Sequence, residues 1–288
     1  MITVKEFIKA DDALAAEIHK LERISRKHDG HAAHLQLDPS LNYDDTMKSV
    51  FVLYEEDKLV SAATLFAPTP GEAELSALTL PKFRQQGYFN LLYFRARDEA
   101  KRCGAGRLLL TCDRDSDTGF ESVSAHGAKL DHSEYRLLFS AEDRSFLDKT
   151  ADGLTITQCA SADARKLASL YTKIFGEKRA DAEKFMRRAL KEPGRRQFLA
   201  QLDGEAVGMG AIESDGGDAC IYCFGIAPAH RRKGLGRALL YMLIKTALND
   251  GNGSLHIEVD SENDAALSLY KSSGFTEKDV CDYYVKEI

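Results

Sequence analysis

Apolar residues in the second half of the chain are spaced in a way that predicts a helix followed by a hairpin. In residues 164–175 apolar side chains recur at intervals of three and four, which is the spacing of one buried helix face. Two short apolar segments, 197–202 and 206–212, flank Asp203-Gly204, a dipeptide that strongly favours a two-residue turn. Strands are therefore expected on both sides of this turn.

Further apolar segments extend this pattern to a complete domain. Strands are predicted at TITQC, CIYCFGIA, LHIEV and DYYVKEI, and helices before KEPG, from Leu235 to the helix-stopping cluster NDGNG, and from about Asp264 to Ser272. The resulting order, βααβββαβαβ, is typical of an α/β domain around a mixed sheet.

The first half of the chain repeats the second half at a constant offset of 147 positions (228 − 81). The offset aligns residues 77–92 with the segment that begins at Phe224, and residues 49–63 with residues 196–210. Three pairs carry the alignment, namely Pro81 with Pro228, Arg84 with Arg231, and Gly87 with Gly234. We therefore predict two similar domains, 1–145 and 154–288, joined by the polar stretch 140–153.

Composition and charge narrow the possible classes of protein. The 288 residues are 44% hydrophobic, which is enough for two cores, and the formal net charge is −6. An acidic chain argues against a general binder of nucleic acid or of anionic membranes. Six scattered cysteines and the lack of an apolar run of roughly 18 residues predict a soluble cytoplasmic protein with reduced thiols.

The segment HRRKGLG, residues 230–236, lies between a predicted strand and a predicted helix and is a candidate anion site. Its glycines permit close approach of the backbone, and amides from about Arg232 to Gly236 could hold a pyrophosphate at the helix N-terminus. A dinucleotide-binding motif would need a third glycine, and a P-loop would need Gly-Lys-Ser/Thr. The alternative is that the basic triplet is a solvated helix start.

The pattern Arg231-x-x-Gly234-x-Gly236, with Pro228 before it, resembles the acetyl-coenzyme A signature of the GCN5-related N-acetyltransferases (GNAT). A second segment, LHIEVDSENDAALSLYKSSGF, follows at the spacing of that superfamily and includes Asn263 and Tyr270. Through the repeat, the resemblance extends over nearly the whole chain. It implies two tandem GNAT-like acyl-CoA N-acyltransferase domains, similar in architecture to the tandem enzyme mycothiol synthase.

This resemblance implies acetyl-coenzyme A as the co-substrate and requires no metal. The strand before the loop and the strand LHIEV are expected to diverge, so that backbone groups pair with the pantetheine arm. The expected cofactor-binding residues are Phe224, Gly225, Ile226, Ala227, Arg231, Arg232, Lys233, Gly234, Leu235, Gly236, Arg237, Asn263 and Ala266.

Two residues are the candidate catalytic groups. Tyr270 occupies the position where the family carries the general acid that protonates the departing thiolate. Glu258 lies where a glutamate acts as the base in ribosomal-protein N-terminal alanine acetyltransferases. The alternatives are a core tyrosine with a satisfied hydroxyl and a glutamate that faces solvent.

The first copy lacks these groups. At the equivalent positions it has Thr111 for Glu258, Ser116 for Asn263, Val123 for Tyr270 and Phe89 for Gly236. We therefore expect the N-terminal domain to be non-catalytic and the C-terminal domain to be catalytic.

Two other groups suggest metal or redox chemistry. Cys220-x-x-Cys223 lacks a second pair at zinc spacing, and alternation along a strand would point the two thiols to opposite faces, so a buried structural role is expected. His28, His31 and His34 recur every third residue in a polar segment. They could ligate zinc, or could belong to a surface or substrate-facing loop.

The expected activity is acetyl transfer from acetyl-coenzyme A to an amine by direct attack in a ternary complex. The alternative is an acyl-coenzyme A binding protein without turnover. The acidic balance favours a cationic acceptor, such as a polyamine, an aminoglycoside or a peptide amine. The acceptor itself, cofactor binding by the first domain, and the choice between monomer and homodimer stay open.

Overall fold

A computed structural model of the protein describes residues 1–30 and 34–288. The chain forms two compact units, called here unit 1 and unit 2. Unit 1 comprises Met1–Glu134 and Asp279–Ile288, and unit 2 comprises Tyr135–Lys278. No helix in the two described ranges is both long and apolar enough to cross a membrane.

Unit 1 contains the elements of the first repeat. They are β1 (Ile2–Phe7), α1 (Asp12–Asp29), β2 (Val50–Glu55), β3 (Lys58–Phe66), β4 (Glu72–Thr79), α2 (Tyr88–Arg102), β5 (Arg107–Asp113), α3 (Asp117–Ala125) and the start of β6 (Lys129–Phe139).

Unit 2 contains the elements of the second repeat. After the end of β6 come β7 (Leu154–Gln158), α4 (Ala164–Phe175), α5 (Arg179–Ala189), β8 (Arg195–Leu202), β9 (Glu205–Asp215), β10 (Asp218–Ile226), α6 (Leu235–Asn249), β11 (Ser254–Asp260), α7 (Asp264–Lys271) and the start of β12 (Phe275–Glu287). From β7 to β12 the order is the predicted one. The hairpin at Asp203-Gly204 is also confirmed, with φ angles of 50° and 85° at these two residues.

Each unit has a mixed sheet, which confirms the predicted α/β class. In unit 1 the strand order is β1-β2-β3-β4-β5, and only β4 and β5 of these five run parallel. In unit 2 the order is β11-β10-β9-β8-β7, with β10 and β11 parallel and the other pairs antiparallel. In both units the parallel pair lies beside the glycine-containing loop.

The end of β12 belongs to unit 1, where residues 281–287 pair antiparallel with β5. Its Asp282 is buried and accepts hydrogen bonds from Arg114 Nη2 at 2.6 Å and from Ser133 Oγ at 2.7 Å. The units defined by contacts therefore differ from the sequence-based division into 1–145 and 154–288. The repeat fixes which residues correspond, but it carries no information about which sheet edge a terminal strand joins.

The sheet of unit 2 is covered on both faces. Helices α6 and α7 cover one face, where Leu239, Ile257 and Tyr270 share a core. Helices α4 and α5 cover part of the other face, where Leu167 and Met209 share a second core. Residues that alternate along β10 and β11 therefore project toward different helix pairs.

Candidate active site

The loop between β10 and α6 places backbone amides at a helix N-terminus. A 3-10 turn, Pro228–His230, leads into Arg232, whose φ is 64°, and into Gly234, whose φ of 78° precedes the first turn of α6. Ala238 donates the first hydrogen bond of the helix, to the carbonyl of Gly234 at 3.2 Å. The amides of Leu235, Gly236 and Arg237 come before Ala238 in the chain and therefore have no acceptor within the helix. No side chain in the described ranges caps this end of α6.

The charges around this loop are positive. Arg232, Lys233 and Arg237 are all exposed at its rim, and no acidic residue occupies the first turn of α6. Positive side chains together with uncapped amides favour a negatively charged group, as the helix dipole does. The loop is therefore suited to hold phosphate groups.

Arg231, another predicted cofactor-binding residue, connects the loop to the end of β10. Its Nε donates to the carbonyl of Ile226, the last residue of β10, at 3.0 Å. Arg84 of unit 1 makes the equivalent bond to Thr79 at 3.1 Å. Because the same contact occurs in both repeats, it explains why an arginine occupies this position even in unit 1, which has no counterpart of Tyr270 or Glu258.

The neighbouring strands β10 and β11 separate at the level of the loop. They pair in parallel from Asp218 with Ser254 up to Ile221 with Ile257, where the pairing ends. Just beyond Ile221, the register between β10 and β9 shifts by a β-bulge, where Cys223 has a φ of 48°. The bulge bends β10 and leaves a gap between the two strands, as the family resemblance implies.

Ala227, another predicted cofactor-binding residue, uses its backbone groups within the chain. The amide of Ala227 donates to Val207 at 2.8 Å, and its carbonyl accepts from the amide of His230 at 2.9 Å. Both backbone groups of Ala227 are thus engaged within the chain. Because bonded and non-bonded residues alternate in an antiparallel pair, Ile226 turns its amide away from β9 and toward the gap.

Tyr270 lies on the α6/α7 face of unit 2, beside the bulge. Its side chain is 5% exposed, and its ring centroid is 5.9 Å from that of Phe224 in the bulge. Burial raises the pKa of the Tyr270 hydroxyl well above its ordinary value. The phenol is therefore protonated at neutral pH, as a proton donor must be.

Asn263 acts as the N-cap of α7. Its Oδ1 accepts from the amide of Ala266 at 3.2 Å, so both groups are used in helix capping. In the side-chain amide of Asn263, Nδ2 is the donor that could bind a carbonyl of the cofactor. The backbone amide of Ala266 is committed to the cap, so its predicted cofactor contact can involve only the methyl side chain.

Glu258 follows Ile257, the last residue of β11 that pairs with β10, and it is exposed. Ile257 shares the core of Tyr270, so by strand alternation Glu258 projects from the opposite face. Burial raises the pKa of the Cys220 thiol, and the nearby charge of Glu258 raises it further. Tyr270 and Glu258 are therefore on opposite sides of the gap between β10 and β11.

Sequence reasoning missed a polar group on the face of Glu258. Arg195 Nη2 pairs with Glu213 Oε1 at 2.7 Å, and Gln197 Nε2 donates to the hydroxyl of Tyr222 at 2.6 Å. The guanidinium of Arg195 also lies over the Tyr222 ring, 5.5 Å from its centroid. The available signal was the polar pair Arg195 and Gln197, at alternate positions at the start of buried β8, where apolar residues would be usual.

The two thiols of the C-x-x-C segment are both partly buried and lie on one face. Burial raises the pKa of Cys223 to about 12 and that of Cys220 well above its ordinary value, and Arg195 acts on both. The expectation that they point to opposite faces is wrong, because the bulge after Tyr222 interrupts the alternation. Both thiols are protonated at neutral pH, which suits a structural role.

The three histidines are only partly covered by the structure. His28 Nδ1 lies 2.9 Å from Asp29 Oδ1 and His34 Nδ1 lies 3.5 Å from Glu22 Oε1, whereas His31 falls outside the described residues. In the described part of the chain, no group of three or more His, Cys, Asp or Glu side chains could hold a metal ion.

Comparison with known proteins agrees with this geometry. Residues 164–275 match the acetyltransferase (GNAT) family. N-alpha-acetyltransferase RimI of Mycobacterium tuberculosis is 32% identical over 126 residues, which are 42% of this chain and 78% of RimI. Mycothiol acetyltransferase of Clavibacter sepedonicus is 26% identical over 202 residues, 61% of this chain and 66% of that enzyme. The chain belongs to the GNAT acetyltransferase family.

Two solved structures share the fold of this chain over nearly its whole length, and one of them is described as a tandem GNAT protein. A GCN5-related N-acetyltransferase from Sphaerobacter thermophilus has a TM-score of 0.77 at 16% identity, over 99% of this chain and 95% of its own. A tandem GNAT protein from the clavulanic acid biosynthesis pathway has a TM-score of 0.75 at 16% identity, over 100% and 98%. The protein is therefore a tandem member of the superfamily.

Proposed function

We propose that unit 2 transfers the acetyl group of acetyl-coenzyme A to a primary amine of a small molecule or peptide by direct attack in a ternary complex. The observation that carries this proposal is the position of Tyr270. Its buried ring lies beside the β10 bulge, where the sheet opens next to an uncapped helix N-terminus.

The residues of this site fit coenzyme A. The amides of Leu235, Gly236 and Arg237 would bind the pyrophosphate, with Arg232 and Lys233 neutralising its charge. The amide of Ile226 and the Nδ2 of Asn263 would bind the pantetheine arm. When bound, acetyl-coenzyme A supplies an activated thioester.

The two candidate catalytic residues move protons on opposite sides of the gap. Glu258 takes a proton from the incoming amine, so that its nitrogen lone pair can form the new N–C bond. Tyr270 donates its phenolic proton to the sulfur as the C–S bond breaks, which stabilises the departing thiolate. Their placement on opposite faces lets acceptor and leaving group occupy different sides of the sheet.

The face of Glu258 gives the acceptor side a polar character. Arg195 offsets the charge of Glu213 there, Glu258 adds an exposed carboxylate, and Gln197 and Tyr222 supply hydrogen-bonding groups. This favours an acceptor with a cationic amine. The names of two relatives, N-alpha-acetyltransferase RimI and mycothiol acetyltransferase, also indicate acetyl transfer, in the first case to an N-alpha amine. We propose a cytoplasmic reaction, since all six cysteines are free thiols.

Tyr270→Phe tests the proposal. Purified protein is mixed with acetyl-coenzyme A and a panel of primary amines, and coenzyme A is quantified by chromatography. For the best acceptor, kcat should fall by about 100-fold or more, because a positioned general acid contributes that much. The KM for acetyl-coenzyme A should stay within about twofold.

Tyr241→Phe is the matched control, because Tyr241 is also a buried tyrosine of the same core. It should leave kcat nearly unchanged. Equal losses for the two variants would assign Tyr270 to packing. Saturable binding of acetyl-coenzyme A with no transfer to any amine would favour a binding protein without turnover.

A further inference from the structure

The bulge in β10 places a non-glycine residue in a disfavoured backbone conformation. At the bulge, β10 contributes two residues, Cys223 and Phe224, where β9 contributes only Gly210. Cys223 has a φ of 48°, in the left-handed region that is unfavourable for residues with a Cβ. Such a conformation persists only where the surrounding contacts hold it. The bulge therefore requires contacts that fix β10 beside it.

Tyr222, the last residue of β10 before the bulge, reaches across β9 to β8. Ala211 of β9 is the register partner of both Tyr222 and Gln197 of β8, so the three residues lie in one row across the sheet. Because Ala211 is small, the Tyr222 ring can cross it, and Gln197 Nε2 donates to the Tyr222 hydroxyl at 2.6 Å. This hydrogen bond, called here the Tyr222 tether, joins β10 to β8.

The Tyr222 tether is buried and is supported by an ion pair. Gln197 is 0% exposed, and Arg195, two residues before it on β8, is also buried. The guanidinium of Arg195 lies 5.5 Å from the centroid of the Tyr222 ring, and its Nη2 pairs with Glu213 Oε1 at 2.7 Å. Burying polar groups is less favourable than burying apolar ones, so packing alone does not account for this set of residues.

The same row exists in unit 1 with other side chains. Val50, Thr64 and Ser76 are register partners across β2, β3 and β4. Val50 and Thr64 are the repeat equivalents of Gln197 and Ala211 (197 − 50 and 211 − 64 both equal the offset of 147). The two rows therefore occupy the same place in the fold.

In the described part of unit 1, neither the tether nor the bulge has a counterpart. Val50 has no hydrogen-bonding side chain, and Ser76 Oγ instead shares a hydrogen bond of 2.7 Å with Thr111 Oγ1 of β5. Strands β3 and β4 pair without a register shift. The tether and the bulge thus occur together in one unit and are both lacking in the described residues of the other.

We propose that Gln197 and Tyr222 are positioning residues that hold β10 in its bulged register and thereby keep the gap between β10 and β11 open. The tether fixes β10 before the bulge, and the bond from the amide of Ala227 to Val207 fixes it after the bulge. The amide of Ile226, which faces the gap, lies between these two fixed points. The consequence for acetyl transfer rests on the proposed function, whereas the effect on β10 does not.

Hydrogen exchange of the protein without ligand tests the tether on β10 itself. Tyr222→Phe removes only the hydroxyl, and amides of residues 223–227 should exchange about fivefold faster, the factor that one hydrogen bond of ordinary strength provides. Tyr54→Phe is the control, because it removes a hydroxyl that bonds to Glu17 at 3.1 Å in unit 1. It should leave residues 223–227 unchanged. Unchanged exchange in folded Tyr222→Phe would overturn the proposal.

Gln197→Val gives unit 2 the residue that unit 1 has at the equivalent position. Residues 223–227 should exchange as fast as in Tyr222→Phe, while exchange in α6 and the urea midpoint of unfolding stay unchanged. The double variant should exchange no faster than either single variant, because both substitutions remove the same bond. Additive effects, or faster exchange throughout unit 2, would assign Gln197 to packing and overturn the proposal.

Binding and activity separate positioning from proton transfer. In Tyr222→Phe and in Gln197→Val, the affinity for acetyl-coenzyme A measured by calorimetry should fall about fivefold, because the open gap is less populated. Burial raises the pKa of the Tyr222 hydroxyl, so the tether does not titrate near neutral pH, and the pH profile of kcat should keep its shape. Unchanged affinity in both variants, or an altered profile, would overturn the proposal. If the unmodified chain bound no acetyl-coenzyme A, the proposed function would fail, and hydrogen exchange would still decide the tether.

Discussion

Tyr270 and Glu258 lie on different faces of one sheet, and the mechanism we propose gives each a different proton. Burial raises the pKa of Tyr270, so it keeps its proton until a strong base such as a thiolate forms nearby. Glu258 is exposed on the other face, where an amine from solvent can reach it. Burial on one side and exposure on the other support the two proposed roles.

Glu258→Gln tests the base at the residue scale. Loss of the carboxylate should lower kcat by about 100-fold near neutral pH and flatten the dependence of rate on pH, because the amine must then lose its proton to water. Glu262→Gln, an exposed glutamate after the end of the same strand, is the control. A pH profile that keeps its shape in Glu258→Gln would remove Glu258 from the mechanism.

At this scale the sequence indicated which segments come together but not the hydrogen-bond partner of each residue. The glycine spacing pointed to the loop, whereas the bond from Arg231 to Ile226 and the cap between Asn263 and Ala266 depend on side-chain directions. The engagement of Ala227 with Val207 depends on strand register. One sequence contains none of this information.

At the scale of elements, the bulge in β10 distinguishes unit 2 from unit 1. The order of strands and helices follows from periodicity and turn residues, and the structure confirms it. The bulge is hidden because the two repeats align without a gap, although the strand register differs by one residue. The pairing of strands, rather than local sequence, reveals it.

Two glycines near the bulge should respond to alanine in opposite directions. A Cβ at Gly225 would lie 2.5 Å from Ile174 Cγ2, so Gly225→Ala forces α4 away from β10. We expect the free energy of unfolding to fall by about 1–3 kcal/mol, as measured by urea denaturation.

Gly236→Ala is the matched substitution, because its nearest neighbour would be Ile226 Cγ1 at 3.5 Å, an ordinary contact. Inside helix α6 it should leave the free energy of unfolding unchanged or raise it by about 0.5–1 kcal/mol. Equal destabilisation by both substitutions would contradict the close packing of α4 on Gly225.

At the scale of the whole molecule, the chain combines two units of one fold with different sites. Unit 2 has the bulge, the phenol and the carboxylate, and unit 1 keeps the loop and has a cavity in their place. The repeat, and the absence of counterparts of Tyr270 and Glu258 in the first copy, could be read from the sequence. The cavity could not, because it depends on how small side chains from β4 and α3 meet.

The central claim is that acetyl-coenzyme A is bound by the loop of unit 2, and calorimetric titration tests it most directly. The unmodified chain should bind about one acetyl-coenzyme A with high affinity. Gly234→Glu should abolish this binding, and Gly87→Glu, the same substitution at the equivalent position of unit 1, should preserve it. No binding to the unmodified chain, or binding that survives Gly234→Glu and is lost in Gly87→Glu, would contradict the account.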